Sequence, residues 1–71
     1  MSKFKNEVVG DKVLEVRRRC GWSQRDVAAW AGMKEPTLCY IESGTRTARL
    51  SDLVRLSKAL RVTTDYLLGL K

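Results

Sequence analysis

The feature that most narrows the fold of this chain is a three-residue corner, Gly32-Met33-Lys34, between two short stretches with helical apolar spacing. Before the corner, Val27, Ala28 and Ala31 share one face of an α-helix; after it, Leu38 and Ile41 do the same. Ser23 carries an N-cap side chain and opens the first of the two helices, which Gly32 ends. So short a connection turns the helices sharply against each other while they stay in contact, and Gly32 supplies the positive φ of the turn. Ala28 is small enough to permit close approach, and Met33 can plug the space between the helices. Pro36 fits only in a first turn, so the second helix starts at Glu35 and runs to Ser43, where Gly44 closes it.

The rest of the chain continues the same periodicity. Val9, Val13, Val16 and Cys20 recur at +4, +3 and +4, an amphipathic stripe ending in the basic turn Arg17-Arg18-Arg19 and stopped by Gly21. Leu50 to Leu60 turns Leu53, Leu56, Ser57 and Leu60 inward, although Arg49 is a weak cap for it. Thr63 caps a last helix, Thr64 to Leu68, with Tyr66 and Leu67 as core contacts. No segment sustains the period-2 alternation of a half-buried strand. The pattern predicts an all-α, compact five-helix domain over residues 7–71, with the polar residues 1–6 as a flexible arm.

Composition removes several functions. In 71 residues there is no His, which takes away the commonest general base, Ser-His triads and most zinc sites. No set of paired carboxylates or activated thiol stands in for it, so catalysis, a cofactor and a metal are not expected. Two cysteines build no disulfide framework, and both Cys20 and Cys39 read as small core or half-buried residues. Neither a secretory signal nor an apolar run of the ~18–20 residues needed for a membrane span is present. Fourteen basic against eight acidic residues leave a net charge of +6, which points to a polyanionic partner, most simply nucleic acid.

The stretch from Ser23 to Glu42, with Glu42-Ser43-Gly44 and then Leu56-Ser57-Lys58-Ala59-Leu60-Arg61-Val62-Thr63, resembles the phage-repressor (Cro/CI-type, XRE) helix-turn-helix family. The resemblance runs from about Val9 to Leu68 and rests on apolar, Gly, Gln and Glu positions agreeing together. Five positions depart from the usual pattern: Trp22 and Val27 where Leu is common, Lys34 for a Ser/Thr cap, Ala48 for Pro, and Arg61 for Gly.

That resemblance implies a set of roles. Gln24, at the start of the second helix, would contact a phosphate or support base-reading residues, with Ser23 offering backbone donors beside it. Lys34, Glu35, Thr37 and Tyr40 fall where related repressors face base edges or flanking phosphates, and Glu35 stands equally well as a simple helix-dipole residue. Ser43, Thr45 and Arg46 lie in the loop that runs along the sugar-phosphate backbone in the family, Arg46 being its best phosphate ligand. Lys3, Lys5, Arg25 and Arg49 are further cations, more readily solvated than specific, and Arg18 and Arg19 have no assigned role. Arg17 and Glu42 correspond to an internal ion pair that orients the recognition helix.

The expected function is a sequence-specific regulator of transcription, in the main a repressor, that binds a palindromic double-stranded DNA operator as a homodimer in the cytoplasm, nucleoid-associated when bound. Half-site centres would lie about 10 bp apart. Neutralising roughly 4–6 phosphates per dimer would give a log–log salt slope near −4 to −5. A competing reading is a protein-interaction module, such as an antitoxin or a regulator-docking domain. It is motivated by Trp30, whose phase turns it partly outward, and by the apolar tail. Trp30 would either fold over a neighbouring helix or meet a partner. Leu68 or Leu70 would lie in a Cro-like dimer interface, unless the chain continues into a separate oligomerisation domain. No membrane or small-molecule partner is suggested.

Overall fold

A computed structural model describes the backbone from Asn6 to Leu70 and the side chains from Val8 to Leu70. Most of the helix boundaries have a local cause. Helix α1 (Asn6–Cys20) is followed by α2 (Gln24–Ala31), α3 (Glu35–Ser43), α4 (Leu50–Leu60) and α5 (Thr64–Leu67). The Ser23 hydroxyl accepts from the Asp26 N–H at 3.0 Å, and the Thr63 hydroxyl accepts from the Tyr66 N–H at 3.0 Å, so α2 and α5 start on capped donors. Arg49 has no side-chain acceptor with which to cap α4. The helix is instead started by the Asp52 carboxylate, which reaches back to accept from the Arg49 N–H at 3.1 Å. At the other end of α2, Gly32 adopts φ 69°, and Met33 N–H returns to the Ala28 carbonyl at 2.9 Å.

Twelve apolar residues form one core, drawn from all five helices: Val9, Val13 and Val16 from α1, Val27, Ala28 and Ala31 from α2, Leu38 and Ile41 from α3, Leu53, Leu56 and Leu60 from α4, and Leu67 from α5. Met33 packs against this core from the corner, and Trp22 folds onto it from the α1–α2 turn. At 2% exposure, Ala28 confirms that the space beside α2 is filled.

The crossing of α1 over α3 depends on Gly10. It is buried inside α1, and a Cβ built there would lie 2.8 Å from the Glu42 carbonyl oxygen and closer still to that of Ile41. Only a residue without a side chain lets the two backbones meet at that distance. The last turn of α3 therefore rests directly on the backbone of α1.

Several expectations need correction. Cys20 and Cys39 are exposed, not core or half-buried. After Val16 the next apolar contact from this end of α1 comes from Trp22, which returns beyond the Gly21 turn and leaves Cys20 outside. Cys39 follows the inward Leu38 by one residue, about 100° around the helix, which carries it off the packed face. Ser57, expected to turn inward, is only half-buried, whereas Tyr66 packs against the core as expected while remaining half-buried. The Ser57 hydroxyl donates to the Val54 carbonyl at 2.8 Å, and Lys12 Nζ sits 5.0 Å from the centre of the Tyr66 ring. Asn6 belongs to α1, so the helix takes one residue of the arm expected over 1–6, and residues 1–5, with Lys3 and Lys5, lie outside the described residues. The last helix ends at Leu67, with Leu68 as its C-cap.

Candidate nucleic-acid interface

The outer face of α3 is fixed by what its inner face does. Leu38 and Ile41 are almost fully buried, and Glu42, though charged, is only 9% exposed. A carboxylate so placed needs partners, and it has three hydrogen bonds. Arg17 grips it from α1 in a two-pronged contact, Nε to Oε2 at 2.7 Å and Nη2 to Oε1 at 3.1 Å. Gln24 donates its side-chain N–H to the same Oε1 at 3.0 Å. The third arm of the guanidinium, Nη1, donates to the Trp22 carbonyl at 3.1 Å. Hydrogen bonding to Glu42 raises the Arg17 pKa above its ordinary value, partly opposed by burial and aided by the charge of the carboxylate. One ionic node therefore ties the end of α1, the start of α2 and the end of α3. Among the described residues no buried side-chain polar atom is left without a partner.

With that side anchored, Glu35 and Tyr40 project to solvent, Tyr40 at 54% exposure, and Thr37 lies half-buried between them. Gln24, Glu35, Pro36, Cys39 and Tyr40 line a shallow concavity of about 330 Å³ between the start of α2 and the outer face of α3. Lys34 is the exposed N-cap of α3; its ammonium cannot accept a cap hydrogen bond and takes part in no ion pair among the described residues.

The residues expected to touch a nucleic acid divide into two groups. Ser23, Lys34, Glu35 and Tyr40 are exposed and Thr37 is half-buried, and of these Glu35 and Tyr40 line the concavity together. Ser23 uses its oxygen as an acceptor in the cap and keeps its hydroxyl proton. Arg46 is exposed, with no ion-pair partner among the described residues. Ser43 and Thr45 are committed inside the loop. The Ser43 hydroxyl donates to the Tyr40 carbonyl at 3.0 Å, Thr45 Oγ1 lies 2.9 Å from Ser43 Oγ, and the Thr45 hydroxyl also reaches the Tyr40 carbonyl at 3.3 Å. The backbone N–H groups of Thr45 and Arg46 converge on that same carbonyl, at 3.1 and 3.3 Å. With both hydroxyl protons engaged locally, these side chains close the end of α3 and shape the loop that carries Arg46. Gln24 likewise has one amide proton committed to Glu42, which matches the supporting half of its expected role.

Trp30 is 54% exposed and meets Trp22 edge to face, with ring centroids 5.2 Å apart. Leu68 is half-buried against the core, whereas Leu70 is 60% exposed. Two residues that the sequence reading passed over, Leu50 at 75% and Val54 at 37% exposure, stand one turn apart on α4. Their i, i+4 spacing outside the Leu53-Leu56-Leu60 stripe is the signal that could have found them. Among the described residues no helix is long and apolar enough to cross a membrane, and no cluster of three metal-binding side chains occurs.

Two short helices across a glycine corner, the second braced behind and bare in front, define a helix-turn-helix domain. The chain belongs to the helix-turn-helix domain family, whose model matches residues 9–68, and its relatives are regulators of the phage-repressor type. It is 31% identical over 61 residues to the HTH-type transcriptional regulator ImmR of Bacillus subtilis (strain 168), a match covering 86% of this chain and 48% of that protein. The chain thus spans about half the length of this curated relative. Among solved structures, it resembles the restriction-modification controller protein C.AhdI from Aeromonas hydrophila at 26% identity and a TM-score of 0.83, covering 87% of this chain and 94% of the other. The DNA-binding domain of the P22 c2 repressor is similar at 25% identity and a TM-score of 0.81, covering 84% of this chain and 79% of that one.

Proposed function

We propose that this domain binds double-stranded DNA as a sequence-specific transcriptional regulator, acting as a repressor by occupying its operator. The observation that carries this reading is the asymmetry of α3. Leu38, Ile41 and Glu42 lock one face, while Glu35, Thr37 and Tyr40 on the other face have no structural partner across the core. A braced helix with a polar and aromatic outer face suits the major groove, whose width admits one helix and whose base edges offer hydrogen-bond partners and thymine methyls. Thr37 and Tyr40 read base edges or flanking phosphates, and Glu35 accepts from cytosine where the site presents one. Lys34, Arg46, the Ser23 hydroxyl and the free N–H groups opening α2 hold phosphates and set the register. The P22 c2 repressor, which shares this fold, has been crystallised with a synthetic operator.

The same reading makes the active form a homodimer on a palindromic site in the cytoplasm, with half-sites about 10 bp apart, one turn of the duplex. Leu50 and Val54 on α4, together with Leu70, supply exposed apolar surface for the second subunit.

The test is selection of bound sequences from a random duplex pool, followed by anisotropy titration of the winning site at several salt concentrations. A palindrome should emerge, with a log–log slope near −4 to −5. Thr37→Ala and Tyr40→Ala should each weaken the selected site about 10-fold to 100-fold while leaving binding to unrelated duplex nearly unchanged. A slope near zero, or equal loss on all sequences, would remove α3 as the reader of the site.

A further inference from the structure

Helix α2 packs against α4 as well as α3, and its α4 side carries a second concave surface. Trp22 and Trp30 form its floor, their planes at 89°, and Lys58, Ala59 and Arg61 at the end of α4 complete a groove of about 500 Å³. It shares no residue with the concavity beside α3. Three observations mark it as more than a surface irregularity. Trp30 leaves over half of a large aromatic side chain in water, which a small domain with a complete core has no packing reason to do. Lys58 and Arg61 are exposed cations, and neither takes part in the one ion pair found among the described residues. Arg61 also holds φ 61°, the only positive φ of a non-glycine residue among the described residues. It ends α4 with the left-handed turn that glycine makes elsewhere in this chain without strain.

Arg61 thus lines a groove that also holds both indoles, from a backbone conformation that an L residue adopts at a cost. The recognition chemistry follows from the lining. Indole faces and Ala59 take an aliphatic or aromatic anchor, while the two cations take carboxylates on either side of it. Duplex DNA fits this poorly, because its phosphate ridges would meet Lys58 and Arg61 but bring no apolar group to cover Trp30. We propose that the Trp22–Trp30 groove docks an acidic segment of a partner protein, with an apolar side chain seated over Trp30 and flanking carboxylates on Lys58 and Arg61. This assignment is independent of how α3 reads DNA.

Both tryptophans of the chain line the groove, so its intrinsic fluorescence reports occupancy directly. The probe is an acidic peptide of Asp and Glu around a central Leu-Phe pair, titrated into the whole chain at low salt. Two controls accompany it, one with Lys replacing every acid and one with Ser-Ser replacing Leu-Phe. The acidic peptide should shift the emission saturably and the controls should not. Trp30→Ala, read through the remaining Trp22, should weaken binding about 30-fold or more, as loss of a central aromatic anchor does. The pair Lys58→Glu with Arg61→Glu leaves every core residue in place and should weaken binding about 10-fold or more at low salt, a gap that narrows at high salt as the charge contribution is screened. The proposal fails if no saturable shift occurs up to millimolar peptide, or if both variants bind as the parent does. It fails equally if single-stranded or duplex DNA produces the same shift through the same residues. A shift that appears on concentrating the protein alone, and that Trp30→Ala abolishes, would assign the groove to a second copy instead.

Discussion

Replacing Gly10 with alanine sets two physical effects of opposite sign against each other. Gly10 lies inside α1, and at an open helical site Gly→Ala stabilises by roughly 0.5–1 kcal/mol, since the unfolded chain loses freedom and the helix gains a better former. Here the new Cβ would stand 2.8 Å from the Glu42 carbonyl oxygen and nearer still to that of Ile41, and both are backbone atoms of α3. Neither can rotate away as a side-chain tip could, so α1 and α3 must separate. Overpacking of this kind costs typically ~1–3 kcal/mol and more where backbone must move, so the clash prevails and the net change is a loss of about 1–3 kcal/mol. For a domain of this size that lowers Tm by roughly 5–20 °C. Separation of the helices also strains the Arg17–Glu42 contact, because Glu42 is one of the two residues displaced. Thermal unfolding followed by circular dichroism measures the first effect and DNA titration the second. A Gly10→Ala protein that melts at or above the parent temperature would refute the close crossing, and with it the account of how α3 is seated.

Removing one partner of the ionic node should cost nearly as much as removing both. Glu42→Ala or Arg17→Ala alone should lose roughly 2–4 kcal/mol in urea unfolding, the lower end reflecting the water that still reaches Arg17, whereas the double substitution should lose clearly less than the sum. Lys34→Ser should act in opposite directions in two assays. It gives α3 the cap it lacks and raises stability by about 0.5–1 kcal/mol, while it removes the proposed phosphate contact from each half-site and so reduces the dimer's salt slope by about 2. Arg61→Gly should relieve the left-handed strain and raise Tm by several degrees, roughly 1 kcal/mol; an unchanged or lower Tm would show that the conformation costs nothing there.

Most of the fold could be read from the chain because its signals are local. Ser23 and Thr63 as caps, Gly32 and Gly44 as stops and the spacing of Leu38 and Ile41 each act within a few residues, and the helices begin and end where those residues say. What stayed illegible depends on distant neighbours. Nothing around Gly10 distinguishes it from a helix-weakening glycine until α3 is laid across it. Cys20 continued a valid apolar stripe, but Trp22 came back over the Gly21 turn and took the contact. At the candidate site helical phase foretells the outward Glu35 and Tyr40, whereas Thr37 is half-buried and Cys39, read as core or half-buried, is exposed. The commitment of the Ser43 and Thr45 hydroxyls to the Tyr40 carbonyl was not foreseeable, because it requires the loop's path in space.

The division of labour within α3 bears on how this domain tolerates change. Its inner residues and its last turn carry all the anchoring: Leu38 and Ile41 to the core, Glu42 to Arg17 and Gln24, and the Ile41 and Glu42 backbone to Gly10. Lys34, Glu35, Thr37 and Tyr40 carry none of it, so their substitution should change what is bound without changing whether the domain folds. Gln24 is the exception, since it stands at the edge of the concavity while one of its amide protons is given to Glu42. Gln24→Ala would remove one of the three hydrogen bonds on the Glu42 carboxylate and a group facing the concavity together, so it should be the one substitution at this face that lowers stability and binding in the same protein. Gln24→Glu should be worse in both respects, because it sets a second carboxylate against Glu42 and adds negative charge beside the phosphates. Should Gln24→Ala bind less tightly yet melt with the parent, the amide serves the ligand alone and the bond to Glu42 contributes nothing to holding α3 in place.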